Sequence, residues 1–302
     1  MEKELSNLPQ IILPENYKYI AVFLAMRCHL NCSYCLNNLE NSKDFNRTKF
    51  KELTGEQWVK ALNRIQSKQD VPITFSGGEP FLHKGFFYIL NNLKPELKID
   101  ILTNLYFDKS LIEKFISWIK PERINRNATY PSIRVSYHPE QMEAGKLIEN
   151  VKRLQNAGFS IGIYSVQYPS PEQLQAITQM QFRAIDAGIL FRLKDFTGSF
   201  KNELYGDYSK YPGSIIQEKT KKVLCKTSEL LIGPNADVYR CHSDLYSEEN
   251  PIGNLLNPEF QLEDKFLECY KYGKCHPCDV KVKTNYKQQL GHTSVEIKDI
   301  GD

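Results

Sequence analysis

The stretch that decides the fold is YIAVFLAMRCHLNCSYC, residues 19–35. An apolar run of strand length leads directly into three cysteines, Cys28, Cys32 and Cys35, spaced C-x3-C-x2-C. A closed zinc site takes four ligands, and a disulfide would leave one of the three over. Three thiols together therefore point to a metal or cluster with one position left open. If the run is the first strand of a parallel sheet, the cysteines sit at its carboxyl end, where such sheets carry their chemistry.

Five further runs have the same texture: VPITFS (71–76), IDILTN (99–104), SIRVSYH (132–138), SIGIYSV (160–166) and ILFRLKDF (189–196). Helix-period apolar sets separate them: Trp58, Leu62 and Ile65; Leu111, Phe115 and Ile119; Leu147, Val151 and Leu154. Thr54 with Gln57, and Ser170 with Gln173 and Pro171, read as capping boxes that start helices. Six strand–helix units predict an α/β fold with a parallel sheet and helices outside it. Six are too few for the full eight-stranded barrel, so a partial (β/α)6 TIM-like barrel is expected. The reading divides the chain into an N-terminal extension (1–18), the barrel (19–200), a polar linker (201–224) and a small cysteine-rich C-terminal extension (225–302).

At 41% hydrophobic and 25% charged residues, the 302-residue chain has the make-up of a globular protein. A net charge of +3 without a basic, aromatic-interleaved stretch argues against nucleic acid as partner. No apolar run reaches the roughly 20 residues of a membrane span, and MEKELSNLPQ (1–10) lacks a secretory signal. A cytoplasmic protein is expected, in which eight cysteines serve as metal ligands rather than disulfides. Three fall at 28–35 and five follow at Cys225, Cys241, Cys269, Cys275 and Cys278, so two centres are expected.

C-x3-C-x2-C after a first strand, with an aromatic (Tyr34) before the last cysteine, resembles the cluster loop of radical S-adenosylmethionine (radical SAM) enzymes. FSGGEP (75–80), after the second strand, is similar to that family's GGE motif. The resemblance implies a [4Fe–4S] cluster on Cys28, Cys32 and Cys35, whose fourth iron is ligated by S-adenosylmethionine. It also implies a cofactor-binding turn of Ser76, Gly77, Gly78, Glu79 and Pro80, the glycines admitting the ligand to the backbone. Thr103, Asn104 and Ser136, at the ends of the third and fourth strands, take positions where the family contacts the cofactor ribose and carboxylate; an ordinary polar turn at Thr103 and Asn104 is the other reading. Arg192 faces the cofactor carboxylate or lines the barrel. His138 reads as a strand-end hydrogen-bonding residue.

The second cysteine group, Cys225-x15-Cys241 and Cys269-x5-Cys275-x2-Cys278, resembles the twitch and SPASM extensions of the same enzymes. SELLIGPNADVYRC (228–241) reads as a hairpin, with Ala236 where those extensions carry glycine. The resemblance implies one auxiliary [4Fe–4S] cluster, most simply on Cys225, Cys241, Cys275 and Cys278. Cys269 is then an alternate ligand, a thiol that donates hydrogen in catalysis, or a bystander. A zinc ribbon would show the same C-x2-C. Residues 283–297 are read as a closing strand, with His292 structural.

The implied activity is reductive cleavage of S-adenosylmethionine, then hydrogen abstraction from a small molecule or peptide, giving an oxidation or a new bond. A flavodoxin- or ferredoxin-type reductant is the implied partner. About 18 residues precede the first strand, too few for a peptide-leader-binding domain. The rival is a non-catalytic iron–sulfur or zinc protein that binds a partner.

Overall fold

The apolar runs become six strands lying side by side in chain order: β1 (Tyr19–Ala25), β2 (Ile73–Gly77), β3 (Ile99–Thr103), β4 (Ile133–Tyr137), β5 (Ile161–Gln167) and β6 (Leu190–Asp195). The structure, a computed structural model, describes residues 8–36, 51–206, 210–283 and 291–300. Every neighbouring pair from β1 to β6 is parallel. Parallel neighbours need crossovers, and these contain α1 (Gly55–Leu62), α2 (Phe86–Asn92), α3 (Lys109–Trp118), α4 (Ala144–Asn156) and α5 (Pro171–Asp186). The expected sixth helix is replaced, among the described residues, by a hairpin of Gly198–Phe200 and Glu203–Tyr205.

Alternation along the strands sorts the two faces of the sheet. Ile20, Val22, Ile73, Phe75, Ile101 and Val135 pack with Trp58, Phe86, Phe115 and Val151 of the helices in one buried core. The intervening residues, among them Phe23, Ser76, Asp100, Arg134, Tyr164, Arg192 and Lys194, belong to the opposite face, where Ala21 and Phe23 pack against Leu245 and Tyr246 of the C-terminal segment.

After β7 (Lys221–Thr227), the segment does not stand apart as the sequence suggested. β8 (Glu229–Ile232) lies parallel to β1, pairing Leu231 with Ala21, and adds to the edge of the main sheet. β9 (Asp237–Tyr239) turns back antiparallel on β8, which is the expected hairpin. With α6 (His242–Ser247) and β10 (Gly253–Asn254), the sheet order is β10-β9-β8-β1-β2-β3-β4-β5-β6. A separate three-stranded sheet holds β7 between β11 (Leu267–Tyr272) and β12 (Val295–Asp299). β7 crosses the boundary expected at residue 224; of the closing strand expected over 283–297, residues 284–290 lie outside the described residues and β12 shares only 295–297 with it.

Three local expectations are corrected. The helix begun by Thr54 ends at Leu62. Ile65 instead pairs with Ile11 in a two-residue parallel bridge, so the N-terminal extension is packed, with Ile11 and Tyr17 fully buried. The Thr54–Gln57 capping box is complete, but Ser170 makes only half of one, because Gln173 Oε1 has no hydrogen-bond partner.

Candidate active site

Gly77 and Gly78 end β2 directly against the cysteine loop. Gly77 has φ +121°, and a Cβ there would stand 2.3 Å from the Ala25 carbonyl oxygen. At Gly78 it would stand 2.1 Å from the Arg27 oxygen, and the Gly78 and Glu79 amides donate to the Ala25 and Arg27 carbonyls at 2.9 and 3.0 Å. The glycines therefore let the turn close on the backbone leading into Cys28, a role the sequence reading gave to an approaching ligand. Arg27 secures the same corner, bonding both Glu52 carboxylate oxygens at 3.0 Å and the Leu82 carbonyl at 2.7 Å.

Glu79, fully buried, joins β2 to β3. Its carboxylate accepts from the Thr103 hydroxyl at 2.7 Å, the Asn104 amide at 2.7 Å and the Phe81 amide at 3.2 Å. It also caps the short 3-10 helix Pro80–Leu82, with Pro80 in its first turn. Among the described residues no cation pairs with it, and burial pushes its pKa up to about 7 against those three hydrogen bonds. Thr103 and the Asn104 backbone thus hold the motif glutamate. The Asn104 side chain goes further and donates to Cys28 Sγ at 3.6 Å, where the Leu30 amide also donates at 3.4 Å.

The far side of the cysteine loop is fastened to the segment after β4. The Ser33 amide and hydroxyl donate to Glu140 at 2.6 and 3.0 Å, and the Asn31 amide donates to Gln141 at 3.3 Å. Tyr34 stacks on Tyr168 at 4.8 Å and shares a 3.1 Å hydrogen bond with His138 Nδ1. Burial pushes His138 down to about 4, so its ring is neutral, as a strand-end hydrogen-bonding partner requires.

Two of the three thiols, Cys28 and Cys32, resist ionisation on their own. Burial pushes Cys28 up to about 11, with Glu79 and Cys35 adding to it. Burial, then Cys35, Glu140 and Cys28, raises Cys32 further. A bound cation relieves this mutual repulsion, because thiolate ligands are deprotonated by what they bind. Among the described residues no three His, Cys, Asp or Glu side chains close on a point as ligands of a single metal ion do. The thiols of the first loop and their N–H···S donors suit a cluster, which spreads its ligands over a wider cage.

Ser76 and Ser136 occupy the face opposite the main helical core, Ser76 in register with Phe23 and Ser136 with Tyr164. Arg192 is in register with Tyr164 and donates to the Thr129 carbonyl at 3.4 Å. The sequence reading missed the charges around it. Asp100 binds Arg126 at 2.9 Å and Arg134 at 3.2 Å, and Lys194 lies over the Tyr164 ring at 5.4 Å. Burial, then Arg134, Lys281 and Arg192, lowers the Lys194 pKa. The available signal was a charge inside an otherwise apolar strand, as in IDILTN and SIRVSYH.

Of the second cysteine group, Cys225, Cys241, Cys269 and Cys275 share one apolar cluster with Ile215, Val223, Val280 and Val295. Cys278 lies beside Lys283, Asp279, Lys281 and Glu229. Glu229, fully buried, accepts from Lys283 Nζ at 2.8 Å and from the Ser294 hydroxyl at 2.8 Å, with His292 Nε2 at 3.1 Å. Burial opposes this carboxylate, but Lys283 and His292 hold its pKa well below the usual range. His292 is thus structural. Among the described residues, no helix is long and apolar enough to cross a membrane.

Comparison with known proteins bears on this site. A family model described as the radical SAM superfamily matches residues 22–185, more than half of the chain. A GTP 3',8-cyclase of Nautilia profundicola is 22% identical over 271 residues, 86% of this chain and 76% of that protein. A probable GTP 3',8-cyclase of Methanocella arvoryzae is 36% identical over 86 residues, 28% of this chain and 26% of the relative, so the chain spans about a quarter of it. A PqqA peptide cyclase of Bradyrhizobium diazoefficiens is 29% identical over 38% of this chain and 27% of its own length. Among solved structures, Streptococcus suis SuiB bound to precursor peptide SuiA aligns with TM-score 0.53 at 16% identity, over 84% of this chain and 64% of that one. At that identity the likeness concerns the fold.

Proposed function

The chain belongs to the radical SAM superfamily, and on that premise we propose that it is an enzyme that cleaves S-adenosylmethionine at Cys28, Cys32 and Cys35 and oxidises or cross-links an acidic small molecule or peptide. In this reading β1 to β6 form a partial six-unit barrel, and the segment after residue 225 is a twitch- or SPASM-like region with an auxiliary cluster. The observation that carries it is the direct tie between the two motifs. Glu79 of GGEP grips Asn104, and Asn104 donates to Cys28 Sγ. A partner-binding module has no need of that linkage.

When bound, the cluster and S-adenosylmethionine supply a 5′-deoxyadenosyl radical able to take hydrogen from an unactivated C–H bond. The residues of this chain orient and shield that chemistry. Asn104 and the Leu30 amide donate to the Cys28 sulfur, which tunes a cluster's potential. Tyr34 and Tyr168 wall one side of the cysteine loop. Arg134, Arg192 and Lys194 on the face opposite the main helical core, with Lys281 near them, attract a carboxylate or phosphate on the substrate. A flavodoxin- or ferredoxin-type protein supplies the electron. The proteins named as GTP cyclases and as a peptide cyclase keep both small-molecule and peptide substrates in view.

Anaerobically reconstituted protein is expected to be brown and, with dithionite, to form 5′-deoxyadenosine from S-adenosylmethionine. A colourless protein holding only zinc would sink the enzyme reading.

A further inference from the structure

We propose that the auxiliary cluster is ligated by Cys225, Cys241, Cys269 and Cys275, and that Cys278 stands outside the ligand set. This rests on the auxiliary-cluster reading above and reverses the assignment that spacing suggests, in which the C-x2-C pair supplies two ligands and Cys269 is left over.

The strand register assembles the first pair. In the antiparallel β7–β11 ladder Val223 faces Cys269 and Cys225 faces Leu267, so Cys225 and Cys269 lie diagonally on the same face. Both are buried, and each thiol is the leading influence on the other's ionisation. Cys241, at the start of α6, and Cys275 pack into the same apolar cluster. Cys241 is an electrostatic neighbour of Cys225, and Cys275 of Cys269, so the four thiols form one connected group. Cys278 lies outside that apolar cluster and is influenced instead by the charged Lys283, Asp279 and Lys281. It shares Tyr246 with Cys35 of the first loop, which places it toward the other centre.

Arg240 supplies an independent observation. Its guanidinium neighbours Cys225, Cys241 and Cys269. Nη1 donates to the Glu268 carbonyl at 2.8 Å and Nη2 faces Asp244 at 3.5 Å, but the buried Nε has no hydrogen-bond partner. A buried N–H without an acceptor calls for an explanation. Four thiolates holding an iron–sulfur core make an anionic, sulfur-rich acceptor beside it, and the cation offsets part of the charge. Two backbone amides already point at sulfurs of this set, Lys271 N to Cys269 Sγ at 3.5 Å and Asp244 N to Cys241 Sγ at 3.4 Å.

The test is made in the full chain with Cys28, Cys32 and Cys35 replaced by alanine, after anaerobic reconstitution with iron and sulfide. That background should hold about four irons per chain, one cluster's complement. Adding Cys278→Ala should leave the iron and the reduced-state EPR signal unchanged. Adding Cys269→Ala should remove most of the iron. Cys269→Ser, close in size and able to ligate through oxygen, should keep the far-ultraviolet circular dichroism of the background while shifting the EPR signal, which separates lost ligation from lost folding. Iron lost on Cys278→Ala, or kept with an unshifted signal in both Cys269 variants, overturns the assignment. A background holding zinc or no metal overturns the auxiliary-cluster reading itself, and the assignment falls with it.

Discussion

The two cysteine regions are built on opposite principles. Cys28, Cys32 and Cys35 lie on a loop held from outside by hydrogen bonds: Glu79 and Asn104 from β2 and β3, Glu140 and Gln141 from the segment after β4. Their scaffold is a large apolar core in which Cys32 is one buried residue among many. The later thiols sit within their own small core, where Cys225 and Cys269 are themselves among the few buried apolar residues. A loop supported by a rigid sheet can leave a coordination position open. A small segment with cysteines at its centre depends for order on what they bind.

Removing ligands breaks the comparison most directly. Cys32→Ala should abolish 5′-deoxyadenosine formation, since two thiolates cannot anchor the first cluster. The melting temperature should move by less than about 5 °C, as the variant trims one small side chain from a large core. Stripping metal with a chelator should instead expose the three-stranded sheet of β7, β11 and β12 to protease while leaving the main sheet, β8 included, resistant. Equal protection of both parts in the stripped protein would erase the distinction.

Gly78→Val probes the outside support. A first carbon 2.1 Å from the Arg27 oxygen must displace the backbone that leads into Cys28. Iron at the first site should fall, with about 3 kcal/mol of lost stability from overpacking. Iron retained with only weaker S-adenosylmethionine binding would return the glycine to the ligand-approach role read from the sequence.

The two buried glutamates sharpen the comparison through pH. Glu79 has only neutral donors, and its pKa rises from the usual 4.5 to about 7. The folded apo protein therefore holds this proton more tightly than the unfolded chain, and stability falls as pH rises through that window, by about 3 kcal/mol for this group. Glu229 meets Lys283 and is depressed, so its contribution is present above the unfolded value and fades as pH falls below it. Denaturation of the apo protein from about pH 2 to 8 should show Glu79→Gln flattening the neutral-side decline and Glu229→Gln flattening the acid-side one, below pH 4.5. The same change in both variants would mean that these carboxyls do not differ as their partners imply.

Legibility in the sequence follows the same divide. All six parallel strands could be read, because β-branched residues and the GGEP turn act locally and repeat. The cysteine loop was legible for the same reason. What escaped depends on distant partners. Ile65 continues a helical period but leaves the helix to meet Ile11. Glu229 and Lys283 lie 54 residues apart and pair only once β8 joins the main sheet. The neighbour of Cys225 is set by strand register, whereas spacing favoured the C-x2-C pair.

The smallest effect expected is at Tyr34, where the first loop touches an aromatic partner as well as polar ones. Tyr34→Phe keeps the stack on Tyr168 and removes only the hydroxyl shared with His138 Nδ1 at 3.1 Å. His138 is buried and neutral, so the loss is that of one neutral hydrogen bond, about 1 kcal/mol. Iron content should be unchanged, because Glu79, Asn104 and Glu140 still hold the loop. Tyr34→Ala removes the stack as well and should cost more, about 2 kcal/mol beyond the phenylalanine variant. If Tyr34→Phe alone empties the first site of iron, the loop is held by this one contact, and the external hydrogen-bonded support described above is not what keeps its thiols in place.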